Sequence, residues 1–334
     1  MNTSLIDLAK TLLEIKSISP EDKGCFDIVE NYLNPLGFET KRINYLNVEN
    51  LYSTIGSKGP LFCFLGHTDV VPSGPEELWD IDPFKPEVIG DYLIGRGAAD
   101  MKGAVATFLA TAKEFLAENP NPNFRICVFL TSNEEGEPAD GKINKIIKDL
   151  QDAGEHIDYC LVGEASSSLK LADTIRLGRR GSLSGSLIIK GKQGHVAYPD
   201  KVNNPIHLTG KVIDTLKEMT WDEGNEFFQP TSFQVSNIHS GTGATNVVPG
   251  HLEMKFNLRF SSESSEDSLK DKILSVLDRF GIEYEIEWTL NAIPFITKQT
   301  FFKDVVMKSI DSIMGYEPEI NNGGGTSDGR WVAP

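Results

Sequence analysis

The sequence predicts an α/β protein with a mixed, mostly parallel sheet covered by helices on both faces and interrupted by an inserted α+β domain. Three observations carry that prediction. Apolar runs alternate with amphipathic helical stretches as far as about residue 181, the grammar of βαβ units. Residues 182–290 change to strands with strict two-residue alternation, and after Pro294 a helical pattern of the earlier style resumes. At 334 residues the chain exceeds the usual single core. The expected division is 1–181 for the first part of one domain, 182–291 for the insertion and 292–334 for the second part.

Each element has a local reason. Leu5, Leu8, Leu12 and Leu13, with Asp7, Lys10 and Glu14 between them, mark an amphipathic helix over 4–16, and these charges break the apolar core a secretory leader needs. Helix 22–36 stops at Gly37, and strands follow near 39–45 and 50–56. The runs Leu61 to Leu65, Phe124 to Leu130 and Tyr159 to Val162 read as buried strands. Between them lie a helix from Met101 to about Leu116, ended by Asn119-Pro120-Asn121-Pro122, and another from Gly141 to Asp152. In the insertion, strand 183–190, helix 204–219, strands 231–239 and 251–260, helix 266–280 and strand 282–290 spell β-α-β-β-α-β, the ferredoxin-like order. Leu252, Met254, Phe256, Leu258 and Phe260 alternate, as do Ile282, Tyr284, Ile286 and Trp288, so one face is buried and the other wet. A helix over about 301–314 belongs to the resumed first domain.

Composition bounds the function. An apolar fraction of 40% with 18 Phe and 24% charged residues marks a folded chain. The net charge of -16 argues against nucleic acid or an anionic membrane as main partner, while a small anionic substrate remains compatible with a locally positive pocket. No apolar run approaches the roughly 18 residues of a membrane span. Cys63, Cys127 and Cys160 lie inside strand runs and no Cys-x-x-Cys pair exists, which points to buried reduced thiols and a cytoplasmic location.

The three strand runs share a further property: each stops at a metal-type ligand. Leu61 to Leu65 precedes His67-Thr68-Asp69, Phe124 to Leu130 precedes Glu134-Glu135, and Tyr159 to Val162 precedes Glu164. In open α/β sheets ligands bind beyond the carboxyl ends of the strands, so these residues can converge. Asp100, opening the helix after Gly95-Arg96-Gly97, is a fourth candidate. One imidazole with several carboxylates suits Zn, Mn or Co. Asp69, two residues from His67, sits on the same side of an extended segment and can accept the other imidazole N–H. Adjacency leaves open which of Glu134 and Glu135 binds metal. His156, His207, His239 and His251 lack such company and read as structural.

In order, G-H-T-D (66–69), G-A-A-D-M-K-G (97–103), T-S-N-E-E-G (131–136) and V-G-E (162–164) resemble the M20 family of zinc-dependent aminoacylases and carboxypeptidases. G-R-R-G-S (178–182), Q-G-H-V-A-Y-P (193–199), N-I-H-S-G-T-G-A-T-N-V-V-P (237–249) and G-G-G-T-S-D-G-R (323–330) narrow the resemblance to the branch that removes succinate from N-succinyl-LL-diaminopimelate, in lysine and diaminopimelate synthesis. The resemblance implies one zinc on His67, Asp100 and Glu164, with Asp100 bridging to a second held also by Glu135, and cobalt as a substitute. It implies Glu134 as general base with Asp69 in support, and an oxyanion contact from His195 of the partner subunit. Arg179, Ser182, Tyr198, Asn246, Arg259, Gly325 and Thr326 match substrate-gripping positions, and the inserted domain is expected to join a homodimer. Acetylornithine deacetylase or dipeptidase chemistry and an inactive dimerising remnant are the other readings. Family members continue past the G-G-G-T-S-D-G-R loop to a last histidine ligand, whereas this sequence stops at Pro334. The resemblance therefore leads us to expect one incomplete zinc site, a weakly held second zinc and reduced stability.

Overall fold

The computed structural model describes residues 4–136, 142–298 and 300–332. The chain forms two compact units: the first takes in the chain up to Leu171, Phe301–Val306 and the segment from Ser327, and the second comprises Ala172–Thr300 and Met307–Thr326. Both sequence boundaries, 181/182 and 291/292, fall inside the second unit.

The first unit contains α1 (Leu5–Leu13), α2 (Cys25–Leu33), β1 (Glu39–Arg42), β2 (Asn50–Ile55), β3 (Leu61–His67), α3 (Lys102–Glu118), β4 (Arg125–Thr131), α4 (Lys142–Asp152) and β5 (Tyr159–Val162). Gly141, the expected start of α4, lies outside the described residues. Five of its strands form one sheet in the order β1-β2-β4-β3-β5. The pairs β1/β2 and β2/β4 are antiparallel, while β3 pairs in parallel with both β4 and β5. The sheet is mixed, and its parallel half is the one joined by α3 and α4.

Alternation along the strands sends successive side chains to opposite faces. Phe64, Ile126, Val128 and Leu130 pack with Leu12, Phe26, Val29, Met101, Val105 and Leu109 from α1, α2 and the α3 region. Cys63, Leu65, Cys127 and Phe129 pack on the other side with Ile143, Ile146 and Ile147 of α4. Near the end of α7 (Phe301–Met314) that belongs to this unit, the Phe302 ring lies 5.6 Å from Phe62 and 5.5 Å from Tyr159. No described helix is long and apolar enough to cross a membrane.

Two helix limits differ from the sequence expectation, each for a physical reason. The first helix ends at Leu13 rather than 16, where the buried Lys102 ammonium donates to the carbonyls of Leu12 (2.9 Å) and Ile15 (2.8 Å). Helix ends leave carbonyls without partners, so this buried cation is satisfied there. The second helix starts at Cys25 rather than 22, because Asp22 stays outside it and accepts the N–H groups of Gly24 and Phe26.

The second unit contains β6 (Gly181–Lys190), α5 (Pro205–Glu218), β7 (Ser232–Ser240), β8 (His251–Phe260), α6 (Glu266–Arg279) and β9 (Tyr284–Ala292). Its antiparallel strands lie in the order β7-β8-β6-β9, which with the two helices is the ferredoxin-like arrangement. Leu252, Met254, Phe256, Leu258 and Phe260 form a core with Val212 and Leu216 of α5 and Leu269, Ile273 and Leu277 of α6. Helix α6 opens with a reciprocal cap between Ser265 and Ser268.

Phe256 is the centre of this core. It stands over Gly185, where a Cβ would lie 2.2 Å from the ring, and meets Trp288 at 5.6 Å and Phe233 at 5.3 Å. Phe256→Ala should cost about 3–5 kcal/mol, read as a lower midpoint in urea unfolding.

Candidate metal centre

Parallel pairing brings the ligand-bearing strand ends level. His67 stands opposite Thr131 across β3/β4, and Leu65 opposite Val162 across β3/β5, so the chain leaves all three strands at one edge of the sheet. Asp69, Glu134, Glu135 and Glu164 lie within three to four residues of that edge.

Asp100 arrives from the α3 side on a support of fully buried Met101. The Met101 Cε sits where a Cβ on Gly66 or Gly163 would be, at 2.4 and 2.5 Å. Glycine is required at both positions, directly before His67 and Glu164, so that Met101 can pass beneath both ligands.

His67 is buried, and its Nε2 lies 3.2 Å from Asp100 Oδ1 and 3.7 Å from Glu164 Oε1. Two groups share this imidazole: His67 with Glu134 and Glu164, and His67 with Asp100 and Glu135. Within each group the ligand atoms lie within 4.8 Å of one another. Among the described residues these are the only histidine, cysteine or carboxylate groups so disposed, and none of the other five histidines takes part.

Asp69 does more than the sequence reading gave it. The closest partner of His67 Nδ1 is the main-chain carbonyl of Asp69 at 2.9 Å, with the carboxylate Oδ1 at 3.5 Å. Donation to that carbonyl leaves Nε2 as the acceptor nitrogen a metal needs. The Asp69 carboxylate also accepts the N–H of Glu134 on Oδ1 and of Glu135 on Oδ2, each at 3.1 Å, and the Ser19 hydroxyl. It anchors the turn that carries both glutamates. A spacing of two residues placed the group correctly, but main-chain and side-chain acceptors compete at such short range.

Electrostatics divides the acids. Burial opposes the charge of Asp69, but the His67 ring, Ser19 and the Glu134 N–H hold its carboxyl below the usual range. Asp100 is also lowered, chiefly by His67. Glu134 goes the other way: burial, then the neighbouring Asp328, pushes it up to about 8. Glu135 is raised by burial and Asp100. Burial would depress His67, yet Asp100 and Asp69 outweigh it and hold the ring well above its usual value.

Asp328 went unassigned in the sequence reading, although it lies inside the G-G-G-T-S-D-G-R block. It is buried, accepts from Trp331 Nε1 at 3.2 Å and lies 3.4 Å from Arg330 Nη2. Burial raises its carboxyl and Arg330 opposes the shift. The only sequence signal was an acid beside glycine and arginine; its place near Glu134 is tertiary.

The remaining sequence-selected residues belong to the second unit and fall into three sets. Ser182 and Arg259 are cross-strand neighbours on β6 and β8, and burial together with Arg180 pulls the Arg259 guanidinium down. Arg179 is buried and reaches the Gly323 carbonyl at 3.4 Å, in a loop also tied by Arg176 to Asn321 and Gly323. In the same loop Gly325 has open space around it, and the buried Thr326 Oγ1 has no hydrogen-bond partner among the described residues. His195, Tyr198 and Asn246 lie at a small two-stranded antiparallel ladder: the Ala197 N–H donates to His195 Nδ1 at 3.1 Å, the Val196 N–H donates to the Asn246 carbonyl, and His195 and Tyr198 are exposed.

Residues 177–285 match the model of a peptidase dimerisation domain, M20_dimer. The chain is 46% identical over 329 residues to the succinyl-diaminopimelate desuccinylase of Thioalkalivibrio sulfidiphilus, covering 98% of this chain and 87% of that one. It is 48% identical to the enzyme of the same name from Methylococcus capsulatus, with the same coverage. In fold it is similar to an M20 family metallo-carboxypeptidase from Sulfolobus solfataricus (TM-score 0.79, 20% identity, 98% and 88% covered). It is likewise similar to a dinuclear metal binding peptidase of the M20 family from Bacillus subtilis (TM-score 0.68, 16% identity, 98% and 84% covered).

The raised groups predict the pH dependence of metal uptake. Without metal at neutral pH, Glu134 (about 8) and His67 (well above its usual value) keep their protons, which a cation must displace. Apparent metal affinity should therefore rise as pH is raised towards about 8, with proton release on loading. Calorimetry in buffers of different ionisation enthalpy checks this; uptake without proton release would show that neither the His67 ligand nor the neighbouring Glu134 carries a displaceable proton before loading.

Proposed function

The chain belongs to the M20 metallohydrolases and, within them, to the succinyl-diaminopimelate desuccinylase family, and on that premise we propose that it hydrolyses the amide of N-succinyl-LL-diaminopimelate to succinate and LL-diaminopimelate. The observation that carries this reading is the convergence of His67, Asp100, Glu134, Glu135 and Glu164, in a chain 46–48% identical to desuccinylases over 98% of its length.

The residues supply the donors for one divalent cation and part of the set for a second, for which zinc is our choice and cobalt a substitute with similar preferences. One buried imidazole nitrogen and three carboxylates, with Glu134 beside them, form a hard donor set, and such crowded acids keep protons unless cations replace them. His67, Asp100 and Glu164 would hold one ion, and Asp100 with Glu135 the other. Bound there, the ions supply Lewis acidity to the scissile carbonyl and to water.

The side chains do the rest. Glu134, whose affinity for a proton is already raised, takes a proton from the attacking water and delivers it to the departing amine nitrogen. Asp69 keeps the Glu134–Glu135 turn in place through its two N–H acceptances. Arg179 and Arg259, with Ser182, Tyr198, Asn246, Gly325 and Thr326, are our candidates for gripping the substrate's carboxylates, for which the planar guanidinium fork is suited. His195 would steady the oxyanion from the partner subunit of a homodimer joined through the second unit. A cytoplasmic location accords with four free cysteines.

Two measurements test the reading. Zinc-loaded protein should release succinate from N-succinyl-LL-diaminopimelate; faster turnover of N-acetylornithine or dipeptides would instead make it another M20 deacylase. Glu134→Gln should lower kcat by roughly 10²–10⁴-fold with metal content unchanged. Metal loss in that variant would exchange the roles of the two adjacent glutamates.

A further inference from the structure

The segment Ser17–Asp22 is bound to the centre at several points, although the sequence reading gave it no role. Ser17 Oγ donates to the Thr68 carbonyl at 2.7 Å, and the Val70 N–H donates to the Ser17 carbonyl at 2.9 Å. The Ser19 N–H donates back to the Val70 carbonyl at 3.3 Å, and Asp22 accepts the Thr68 hydroxyl at 3.2 Å. On the other side Ser132 Oγ donates to the Pro20 carbonyl at 2.8 Å, while accepting the Glu49 N–H at 3.0 Å. One loop thus grips the residues flanking His67 and Asp69 and those leading to Glu134.

Ser19 stands at the junction. Its hydroxyl donates to Asp69 Oδ2, the oxygen that also accepts the Glu135 N–H. Its Cβ lies 3.1 Å from the position a Cβ on Gly136 would take, so it also packs against the end of the glutamate turn. Asp69 is fully buried, and a buried carboxylate holds its charge and orientation only through the donors around it.

We infer that Ser19 is a positioning residue for the metal centre: its hydroxyl sets the Asp69 carboxylate, and through it the Glu134–Glu135 main chain, so that the 17–22 loop couples the His67 strand end to the glutamate turn. This deepens the proposed function and rests on its assignment of the ligands. Removing the hydroxyl takes away the one side-chain donor of the three hydrogen bonds that hold Asp69 and leaves Oδ2 with the Glu135 N–H alone, while nothing that touches substrate is altered.

The test compares Ser19→Ala and Ser19→Thr with the parent protein, reading zinc affinity by competition with a chromophoric chelator, kcat and KM, and the melting temperature. Ser19→Ala should weaken zinc binding and lower kcat by about 10-fold or more, with KM unchanged, as partners of metal ligands commonly do. Ser19→Thr keeps the hydroxyl and should recover most of both. Zinc affinity and kcat of Ser19→Ala within twofold of the parent, whether or not the melting temperature falls, would overturn the inference. Equal loss in Ser19→Thr would do the same. The zinc measurement requires no substrate, so a parent protein that fails to release succinate would remove the substrate reading and leave the clamp standing.

Discussion

Four carboxylates around one buried imidazole repel one another, most strongly where burial removes the water that would screen the charge. The structure answers this by treating its acids unequally. Asp69, supplied with two main-chain N–H groups and the Ser19 hydroxyl, stays ionised although buried. Glu134, facing Asp328 without such donors, holds its proton up to about 8. Neighbouring acids with opposite tendencies are the arrangement in which one orients and another shuttles protons. The same repulsion makes the centre demand cations, since divalent charge relieves it where protons otherwise must.

Such crowding is possible only because the backbone delivers the acids from separate strands at one level. Parallel pairing of β3 with β4 and β5 aligns their carboxyl ends, and the mixed order of the sheet puts that parallel half at the end away from β1 and β2. Gly66 and Gly163 then give up their side chains so that Met101 can lie under the strand ends and bring Asp100 to His67. Packing below the site and chemistry above it are set by the same few residues.

Much of this was legible from order alone. The apolar strand runs, each ending at His67, Glu134-Glu135 or Glu164, located the centre, and two-residue alternation identified the sheet of the second unit. Where the reading fell short, the cause was interaction across distance. Lys102 ends the first helix from another element, and Asp22 delays the second by capping it from outside. Asp69 divides its carboxylate between the imidazole and the glutamate turn, which lies far away in the chain. Ser19 carries no periodic or motif signal, and the block that contains Asp328 assigns it no role; a hydroxyl and an acid in loops look like solvated turns until folding buries their partners.

The sequence by itself determined which residue types meet at the strand ends and which faces are apolar, because both follow from local periodicity and from where each run stops. Only the tertiary structure decided which acid is charged, which keeps a proton and which loop holds them. Those outcomes depend on burial and on donors contributed by segments far apart in the chain, which no local pattern records.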